Sequence, residues 1–263
     1  MYALAYCRSV MTGRLLTLAK IINTICDATL ALLYPMRCAA CEAASVESRA
    51  DAPACAACWD GTTIFSGTET LCWKCGMRAP ASVMAEKWED VRCRRCDTEH
   101  FDAARSIGIY EGALRASVLM LKREPHVGAR LAHSLLEVAR RPPLDAATLI
   151  VPVPLHRERE RERGFNQAAV LARALSTQML LPLDELSVHR VEHTARHRAG
   201  MDARARRETV EEAFKVVRPR LVTGERVLLI DDVLTTGATV SACARALKEA
   251  GALEVFVLTV ARA

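Results

Sequence analysis

The chain has 263 residues, of which 51% are apolar, and it carries a formal net charge of +5 with a pI near 8.7. The apolar fraction is high enough for a hydrophobic core, which argues against a disordered chain. The length suffices for one good-sized domain and a small one. The mild positive charge permits a polyanionic ligand or nucleic acid but establishes neither.

The first predicted element is an amphipathic helical extension at residues 1–34. Leu15–Tyr34 is strongly apolar, but Lys20, Asn23 and Asp27 interrupt it, and its apolar residues follow helical spacing. An uninterrupted span of about 20 apolar residues is absent, and no clean signal-peptide cleavage site follows. We therefore expect a helix that packs on the body of a cytoplasmic protein with no transmembrane segment. Peripheral membrane association is the alternative.

Residues 35–100 contain four Cys-x-x-Cys pairs and little aliphatic material. The eight cysteines of these pairs are Cys38, Cys41, Cys55, Cys58, Cys72, Cys75, Cys93 and Cys96. A two-residue gap lets both thiolates of a pair bind one metal ion, and two pairs complete a tetrahedral zinc site. A disulfide framework and a redox pair are the alternatives. Zinc is favoured, because no export signal indicates an oxidising compartment and the pairs repeat at short spacing.

We predict that this module binds one or two structural zinc ions, because four thiolates leave no open position for a substrate. Metal binding would then supply much of the folding free energy of the module. The sequence leaves open whether the pairs combine in succession or cross-braced. The remaining cysteines, Cys7, Cys26 and Cys243, fall on apolar helical faces and are predicted to be buried free thiols.

Residues 101–263 alternate between predicted strands and helices, which indicates a parallel sheet with right-handed crossovers. The predicted strands are Arg105–Tyr110, Thr148–Val153, the apolar run 227–230 and Leu253–Val260. The predicted helices are Gly112–Lys122, Gly128–Arg141, Asn166–Met179 and Ala238–Ala250. The predicted fold class is therefore α/β, a parallel-sheet domain preceded by the small zinc-binding module and the N-terminal helix.

The loop after the second predicted strand carries cations and amides. It begins with Pro152-Val153-Pro154, continues through an alternating Arg/Glu run at 157–163, and ends with Arg163-Gly-Phe-Asn-Gln. Most of the alternating charges are interpreted as a solvated, self-neutralising surface. Arg163 differs, because it lies where the loop enters a helix, and Lys122 ends an apolar helical stripe. These two cations are candidates for contacts with a phosphate-rich ligand.

The run 227–239 is the most informative part of the chain. Four apolar residues lead to Asp231 and Asp232, then to Thr235-Thr236-Gly237-Ala238-Thr239, and then to a helix. The free amides and positive dipole end of that helix favour a phosphate, and Gly237 lets backbone amides approach a ligand closely. Carboxylates for ribose hydroxyls beside a phosphate cradle predict a ribose 5-phosphate site. The alternative is an ordinary strand-turn-helix whose threonines only cap the helix.

This run resembles the motif of type I phosphoribosyltransferases that binds phosphoribosyl pyrophosphate (PRPP). Together with Pro152-Val-Pro154-Leu, the Arg163-Gly-Phe-Asn-Gln segment and the four cysteine pairs, it makes residues 34–262 resemble the ComF family. Members of that family are competence-associated proteins with a cysteine-rich amino-terminal module and a phosphoribosyltransferase domain. The resemblance implies the same two parts here, with the module at 35–100 and the phosphoribosyltransferase-like domain at 101–263.

The resemblance also implies a PRPP site with Mg²⁺. Its implied contacts are Asp231, Asp232, Thr235, Thr236, Gly237, Ala238, Thr239, Arg163, Lys122, Pro152, Val153 and Pro154. Asp231 and Asp232 are the implied catalytic residues, which would hold the ribose hydroxyls directly or through the metal. Magnesium and the cations would stabilise the leaving pyrophosphate, and a loop at 190–210 would close over the ligand.

The chain departs from the family pattern in a few places. It reads Leu121-Lys122-Arg123 where the family usually has Leu-Lys-Tyr, segment 194–198 lacks a common Gln, and Thr209 replaces an Asn. The last two changes lie in the segment that resembles the closing loop. They therefore bear on turnover more than on ligand binding.

Three functions from different classes remain open from the sequence. The first is a phosphoribosyltransferase that acts on an unknown acceptor. The second is a non-catalytic PRPP- or nucleotide-binding protein associated with DNA uptake and natural transformation. The third is a zinc-organised adaptor for a DNA-uptake helicase or a recombination mediator, with single-stranded DNA as a further candidate partner. No segment of the sequence identifies an acceptor pocket.

Overall fold

A computed structural model describes residues 35–79, 91–191 and 213–263. The helix expected at 1–34, with Cys7 and Cys26, lies outside the described residues, as does most of the loop expected at 190–210. Among the helices in the described ranges, none is long and apolar enough to span a membrane.

The described chain is organised around a parallel sheet of four strands. These are β1 (Ala103–Ile109), β2 (Leu149–Pro152), β5 (Arg226–Leu234) and β6 (Glu254–Arg262). Their order across the sheet is β1-β6-β5-β2, and every neighbouring pair is parallel. Two short strands, β3 (Val188–Arg190) and β4 (Phe214–Val216), form a separate antiparallel pair. The predicted parallel α/β fold is confirmed.

The connections between strands are mostly helical. The helices are α1 (Ala56–Asp60), α2 (Gly112–Leu121), α3 (Ala129–Ala139), α4 (Arg157–Arg163), α5 (Gln167–Met179) and α6 (Ala238–Glu249). The long helices agree closely with the apolar periodicity of the sequence. Two differences stand out. β5 extends beyond the predicted run 227–230, through both acids, to Leu234. The Arg/Glu run at 157–163, which the sequence pattern places in a loop, forms the helix α4.

Two apolar cores lie on opposite faces of the sheet. Successive side chains of a strand point to opposite faces, so Leu228 belongs to one core and Leu229 to the other. Helices α2, α3 and α5 cover the first face, and α6 covers the second, where Cys243 is fully buried as predicted. Cover on both faces explains why these strands are almost continuously apolar.

The cysteine-rich module pairs with the outer edge of β1. The N–H of Phe65 donates to the carbonyl of Ile107 at 2.8 Å, and the N–H of Ile109 donates to the carbonyl of Thr63 at 3.0 Å. Further along, the N–H of Ala104 donates to the carbonyl of Lys74 at 2.6 Å. An edge strand presents unpaired backbone groups, and these bonds satisfy several of them.

The module reaches both faces of the sheet from this edge. Cys38 and Cys55 belong to the core under α2 and α3, whereas Cys72 and Cys75 belong to the core under α6. The two groups of cysteines therefore pack into different cores of the same sheet. The division of the chain at residue 100 stays a prediction.

We predict that Gly108→Ala will displace the module from β1. A Cβ at Gly108 would lie 2.1 Å from the carbonyl oxygen of Thr63, so the paired backbone must move. Overpacking of this kind costs about 1–3 kcal/mol. Hydrogen exchange should show faster exchange of the amides of Phe65 and Ile109.

Gly224→Ala is the matched control for this prediction. Gly224 lies in a turn with φ of +82°, and no atom lies within 4 Å of its added Cβ. It should lose stability through backbone strain alone and leave the amides of Phe65 and Ile109 protected. Unchanged exchange of these two amides in Gly108→Ala would contradict the edge pairing.

Candidate functional site

The Thr/Gly loop, residues 235–239, leads from the end of β5 into the first turn of α6. Gly237 is the N-cap of α6 with φ of +88°, a left-handed conformation that a glycine adopts without strain. Its lack of a side chain leaves the first turn of α6 without a side-chain cap from that position. Open N–H groups at a helix N-terminus form a ready-made anion site.

Most residues of the Thr/Gly loop are accessible to a ligand from solvent. Thr235, Thr236 and Ala238 are exposed, Thr239 is half-buried, and only Gly237 is buried. The hydroxyl of Thr236 lies 3.4 Å from the N–H of Ala238, a long hydrogen bond that a ligand could replace. The geometry is therefore compatible with a phosphate, as the sequence predicted.

The two acids lie within β5 rather than beyond its end. The carboxylate of Asp231 accepts a hydrogen bond from the N–H of Asp232 at 2.9 Å. Oδ2 of Asp232 lies 3.3 Å from Nζ of Lys122, which follows α2. That ion pair lacks hydrogen-bond geometry, and no group in the described ranges donates a hydrogen bond to this buried oxygen.

Burial and the nearby carboxylate of Asp232 raise the pKa of Asp231 to about 7. Desolvation disfavours the charged form, and a second carboxylate disfavours it further. Burial also raises the pKa of the Cys243 thiol, and the charge of Asp231 adds to that effect. The acids therefore form an electrostatically strained pair that a cation or hydrogen-bond donors would relieve.

A cleft of about 760 Å³, the β2-side cleft, follows the end of β2. Pro152 and Pro154 line it together with Phe165 and Asn166, so the segments before and after α4 meet there. Residues 188–190 of β3 form another wall. In the sequence, the segment expected to close over a ligand follows directly after β3.

Hydrogen bonds fix the turn between α4, which ends at Arg163, and α5, which begins at Gln167. Asn166 caps α5 by accepting from the N–H of Ala168 at 3.0 Å, and its Nδ2 donates to the carbonyl of Val153 at 2.9 Å. Nη1 of Arg163 donates to Oε1 of Gln167 at 2.6 Å. The rest of α4 is exposed, which agrees with a solvated Arg/Glu surface.

The eight predicted ligand cysteines form two groups of four. Cys38, Cys41, Cys55 and Cys58 make the first group, and Cys72, Cys75, Cys93 and Cys96 make the second. Within each group all sulfurs lie within 4.8 Å of one another. The pairs therefore combine in succession, first with second and third with fourth, which the sequence left open.

The distances in the second group suit zinc. Its sulfurs are 3.4–3.5 Å apart for the contacts Cys72–Cys96, Cys75–Cys93 and Cys93–Cys96. A tetrahedron with Zn–S bonds of about 2.3 Å has edges of about 3.8 Å, whereas a disulfide bond is about 2.05 Å long. None of the described cysteines is in a disulfide.

Backbone donors favour the thiolate form of one cysteine in each group. Burial alone would raise the pKa of Cys38, but the N–H groups of Cys55, Cys41 and Ala40 lower it to about 6. Burial opposes the shift at Cys72 as well, where N–H groups of Cys75 and Cys93 lower the pKa to about 7. Hydrogen bonds to sulfur stabilise the charge that a zinc ligand must carry.

Side chains dock the first group onto α2 and α3. Oγ1 of Thr62 accepts from the N–H of Ala113 at 2.9 Å, which satisfies a donor in the first turn of α2. Arg130 of α3 lies over the ring of Trp59 at 5.0 Å and pairs with Asp51 at 3.3 Å. The first group is thereby fixed away from the Thr/Gly loop.

The second group docks beside the Thr/Gly loop. Nη1 of Arg262, at the end of β6, donates to the carbonyl of Cys75 at 2.5 Å. The N–H of His100 donates to Oγ of Ser241 on α6 at 2.9 Å. Glu99 consequently lies next to Gly237, a position that no motif of the sequence had indicated.

Comparison with known proteins supports both the cysteine-rich module and the α/β domain that follows it. Residues 165–263 match the phosphoribosyl transferase domain, and residues 29–97 match the double zinc ribbon domain. Competence protein F of Haemophilus influenzae is 37% identical over 137 residues, 51% of this chain and 59% of that protein. The DNA utilization protein YhgH of Escherichia coli K12 is 31% identical over 202 residues, 74% of this chain and 85% of that protein. Competence protein ComFC of Bacillus subtilis is 35% identical over 107 residues, 41% of each chain.

The parallel sheet, the Thr/Gly loop after β5 and the double zinc ribbon define a phosphoribosyltransferase-type domain with an amino-terminal zinc module. The ribbon match and the two cysteine groups support structural zinc. The chain belongs to the ComF family.

We predict that Cys72→Ser combined with Cys75→Ser will halve the zinc content and leave the first site loaded. Successive pairing confines these two ligands to one group, so the other four thiolates are untouched. Metal analysis of purified protein should show one zinc ion per chain in the variant and two in the wild type. Loss of both ions, or disulfides in place of metal, would contradict the assignment.

Proposed function

We propose that this protein binds PRPP at the carboxyl ends of β2 and β5 and acts in DNA uptake. The observation that carries the proposal is that the Thr/Gly loop, the two acids and Lys122 come together at the carboxyl end of β5. Ligands of open α/β sheets bind outside the carboxyl ends of the strands. The N-terminus of α6 supplies amides for the 5-phosphate, with contacts at Thr235, Thr236, Gly237, Ala238 and Thr239.

Asp231 and Asp232 would bind the ribose hydroxyls in this arrangement. Hydroxyl donors would satisfy the buried Oδ2 of Asp232, which has no hydrogen bond from the described residues. The carboxylate oxygens are also the hard donors that Mg²⁺ prefers, so the residues present fit that ion. Bound magnesium would supply charge neutralisation on the diphosphate.

The diphosphate would lie over the end of β2. Pro152, Val153 and Pro154 end that strand, and Asn166 fixes the following loop to the carbonyl of Val153. Arg163 would then offer charge-assisted hydrogen bonds to the diphosphate. Lys122, which pairs with Asp232, would approach the diphosphate from the other side.

Transfer of the ribose 5-phosphate to an acceptor would follow from these contacts. As the bond from the anomeric carbon to pyrophosphate breaks, positive charge develops on the ring and negative charge on the leaving group. The carboxylates of Asp231 and Asp232 would stabilise the positive charge on the ring. The cations Arg163 and Lys122 would stabilise the negative charge on the pyrophosphate. The changed residues in segment 194–209 favour a second candidate, a PRPP-binding accessory that turns over little.

The proposed role in DNA uptake rests on the relatives. Two are named competence proteins and another is named a DNA utilization protein. In that setting the double zinc ribbon would serve as a docking surface for a DNA-uptake helicase or a recombination mediator. Pull-down of such proteins with the wild type and with the Cys72→Ser, Cys75→Ser variant tests this role.

We predict that Asp231→Asn combined with Asp232→Asn will weaken magnesium-dependent PRPP binding by about tenfold or more. The change removes the negative charges but keeps the size of the side chains, so the fold should persist. Gly237→Val should weaken binding too, because φ of +88° strains a β-branched residue. Titration calorimetry measures both effects.

Release of pyrophosphate over a panel of nucleobases separates a transferase from a binding protein. Pyrophosphate release that depends on one base supports transfer, and binding without release supports the accessory. Equal PRPP affinity in the wild type and in the variants with altered acids or Gly237 would refute the site itself.

We predict that Arg163→Ala will weaken PRPP binding by about tenfold while it changes the affinity for ribose 5-phosphate little. Arg163 would contact the diphosphate, which ribose 5-phosphate lacks, and hydrogen bonds to charged groups are the strong ones. Arg159→Ala is the control, because Arg159 is exposed on α4, and it should alter neither affinity. A larger loss at Arg159, or equal losses for both ligands at Arg163, would refute the assignment.

A further inference from the structure

A second cleft, about 470 Å³ in volume, lies between the cysteine-rich module and the Thr/Gly loop. We name it the ribbon-side cleft. Its walls include Met77, Glu99, Phe101 and Arg262, together with residues 234–237. The volume lies in the range of small-molecule sites, and one wall belongs to the loop assigned to the ribose phosphate.

The strand order places the two clefts on opposite sides of β5. β5 carries the acids and the Thr/Gly loop, with β2 as its neighbour on one side and β6 on the other. Pro152 ends β2 and lines the β2-side cleft, whereas Arg262 ends β6 and lines the ribbon-side cleft. In a displacement at the anomeric carbon, the acceptor and the leaving pyrophosphate lie on opposite sides of that carbon. A diphosphate over β2 therefore directs the acceptor toward β6.

Glu99 is anchored by its backbone, and its carboxylate is available. Nζ of Lys74 donates to the carbonyl of Glu99 at 2.7 Å, and the next residue is bonded to Ser241 of α6. A Cβ added to Gly237 would lie 3.5 Å from Oε1 of Glu99, so the carboxylate lies beside the Thr/Gly loop. Across the ranges that the structure covers, no hydrogen bond or ion pair reaches this carboxylate.

The walls define the chemistry of an occupant. A carboxylate accepts hydrogen bonds, and two adjacent N–H donors can engage both of its oxygens. Phe101, Leu234 and Met77 supply an apolar wall for a flat ring. Nη1 of Arg262 donates to the carbonyl of Cys75, and the other N–H groups of the guanidinium can donate to a carbonyl on the ring.

We propose that the ribbon-side cleft is the acceptor site and takes a nitrogen heteroaromatic whose two adjacent N–H groups donate to Glu99. The inference rests on the proposed function. Another ring nitrogen of the acceptor forms the bond to the anomeric carbon of PRPP while the bond to pyrophosphate breaks. That nitrogen loses its proton to water, and pyrophosphate leaves with the electron pair of the broken bond.

The test compares GMP, IMP and ribose 5-phosphate by titration calorimetry on the zinc-loaded full chain. All three carry the 5-phosphate, GMP presents two adjacent N–H donors, and IMP lacks the exocyclic amine. The wild type should bind GMP at least tenfold more tightly than ribose 5-phosphate and more tightly than IMP. Glu99→Gln should abolish the preference for GMP over IMP and leave the affinity for ribose 5-phosphate unchanged.

Asp97→Asn is the matched control, because Asp97 is exposed, lies in the same loop and loses the same charge. It should keep the preference for GMP, and equal zinc content in all variants verifies the fold. The inference is overturned, and the proposed function is not, if ribose 5-phosphate binds but GMP binds no better, or if Glu99→Gln keeps the preference. If neither ribose 5-phosphate nor PRPP binds the wild type, the proposed function fails and the inference fails with it.

Discussion

The pairing of the cysteine-rich module with the edge of β1 is the constraint on which the rest of the structure depends. Backbone bonds from Thr63, Phe65 and Lys74 hold the module at one edge, so its two cysteine groups reach opposite faces of the sheet. A short module with little aliphatic material can be held this way because zinc supplies free energy that a core of its own would not. The consequence at the site is direct, since the second group borders the Thr/Gly loop.

Charge balance is the second constraint. Asp231 and Asp232 lie in the last part of a central strand, where burial and mutual repulsion disfavour two carboxylates. Lys122 offsets part of this cost from the end of α2 without making a hydrogen bond. Sites that retain such a cost are often functional ones, because a ligand can relieve it. A hydroxyl group or a cation bound at the acids would relieve the cost that remains.

Much of the fold followed from local patterns. Apolar runs predicted the strands of the parallel sheet, and helical spacing predicted α2, α3, α5 and α6 within a few residues. The limits of β5 were less predictable, because aspartates are poor strand formers and only pairing with β6 keeps Asp231 in the sheet. The ribbon-side cleft could not be foreseen at all, since Glu99 and Gly237 are far apart in sequence and belong to no common motif.

The sequence by itself determined the residue types and their local order: four metal-binding pairs, a glycine at a helix N-terminus, and two acids a few residues before that glycine. These depend on spacing within a few residues, where covalent geometry decides what can meet. Only the tertiary structure decided that the cysteine pairs combine in succession, that Lys122 meets Asp232, and that the second group borders the Thr/Gly loop. Those contacts join residues remote in sequence, and strand order with edge pairing brings them together.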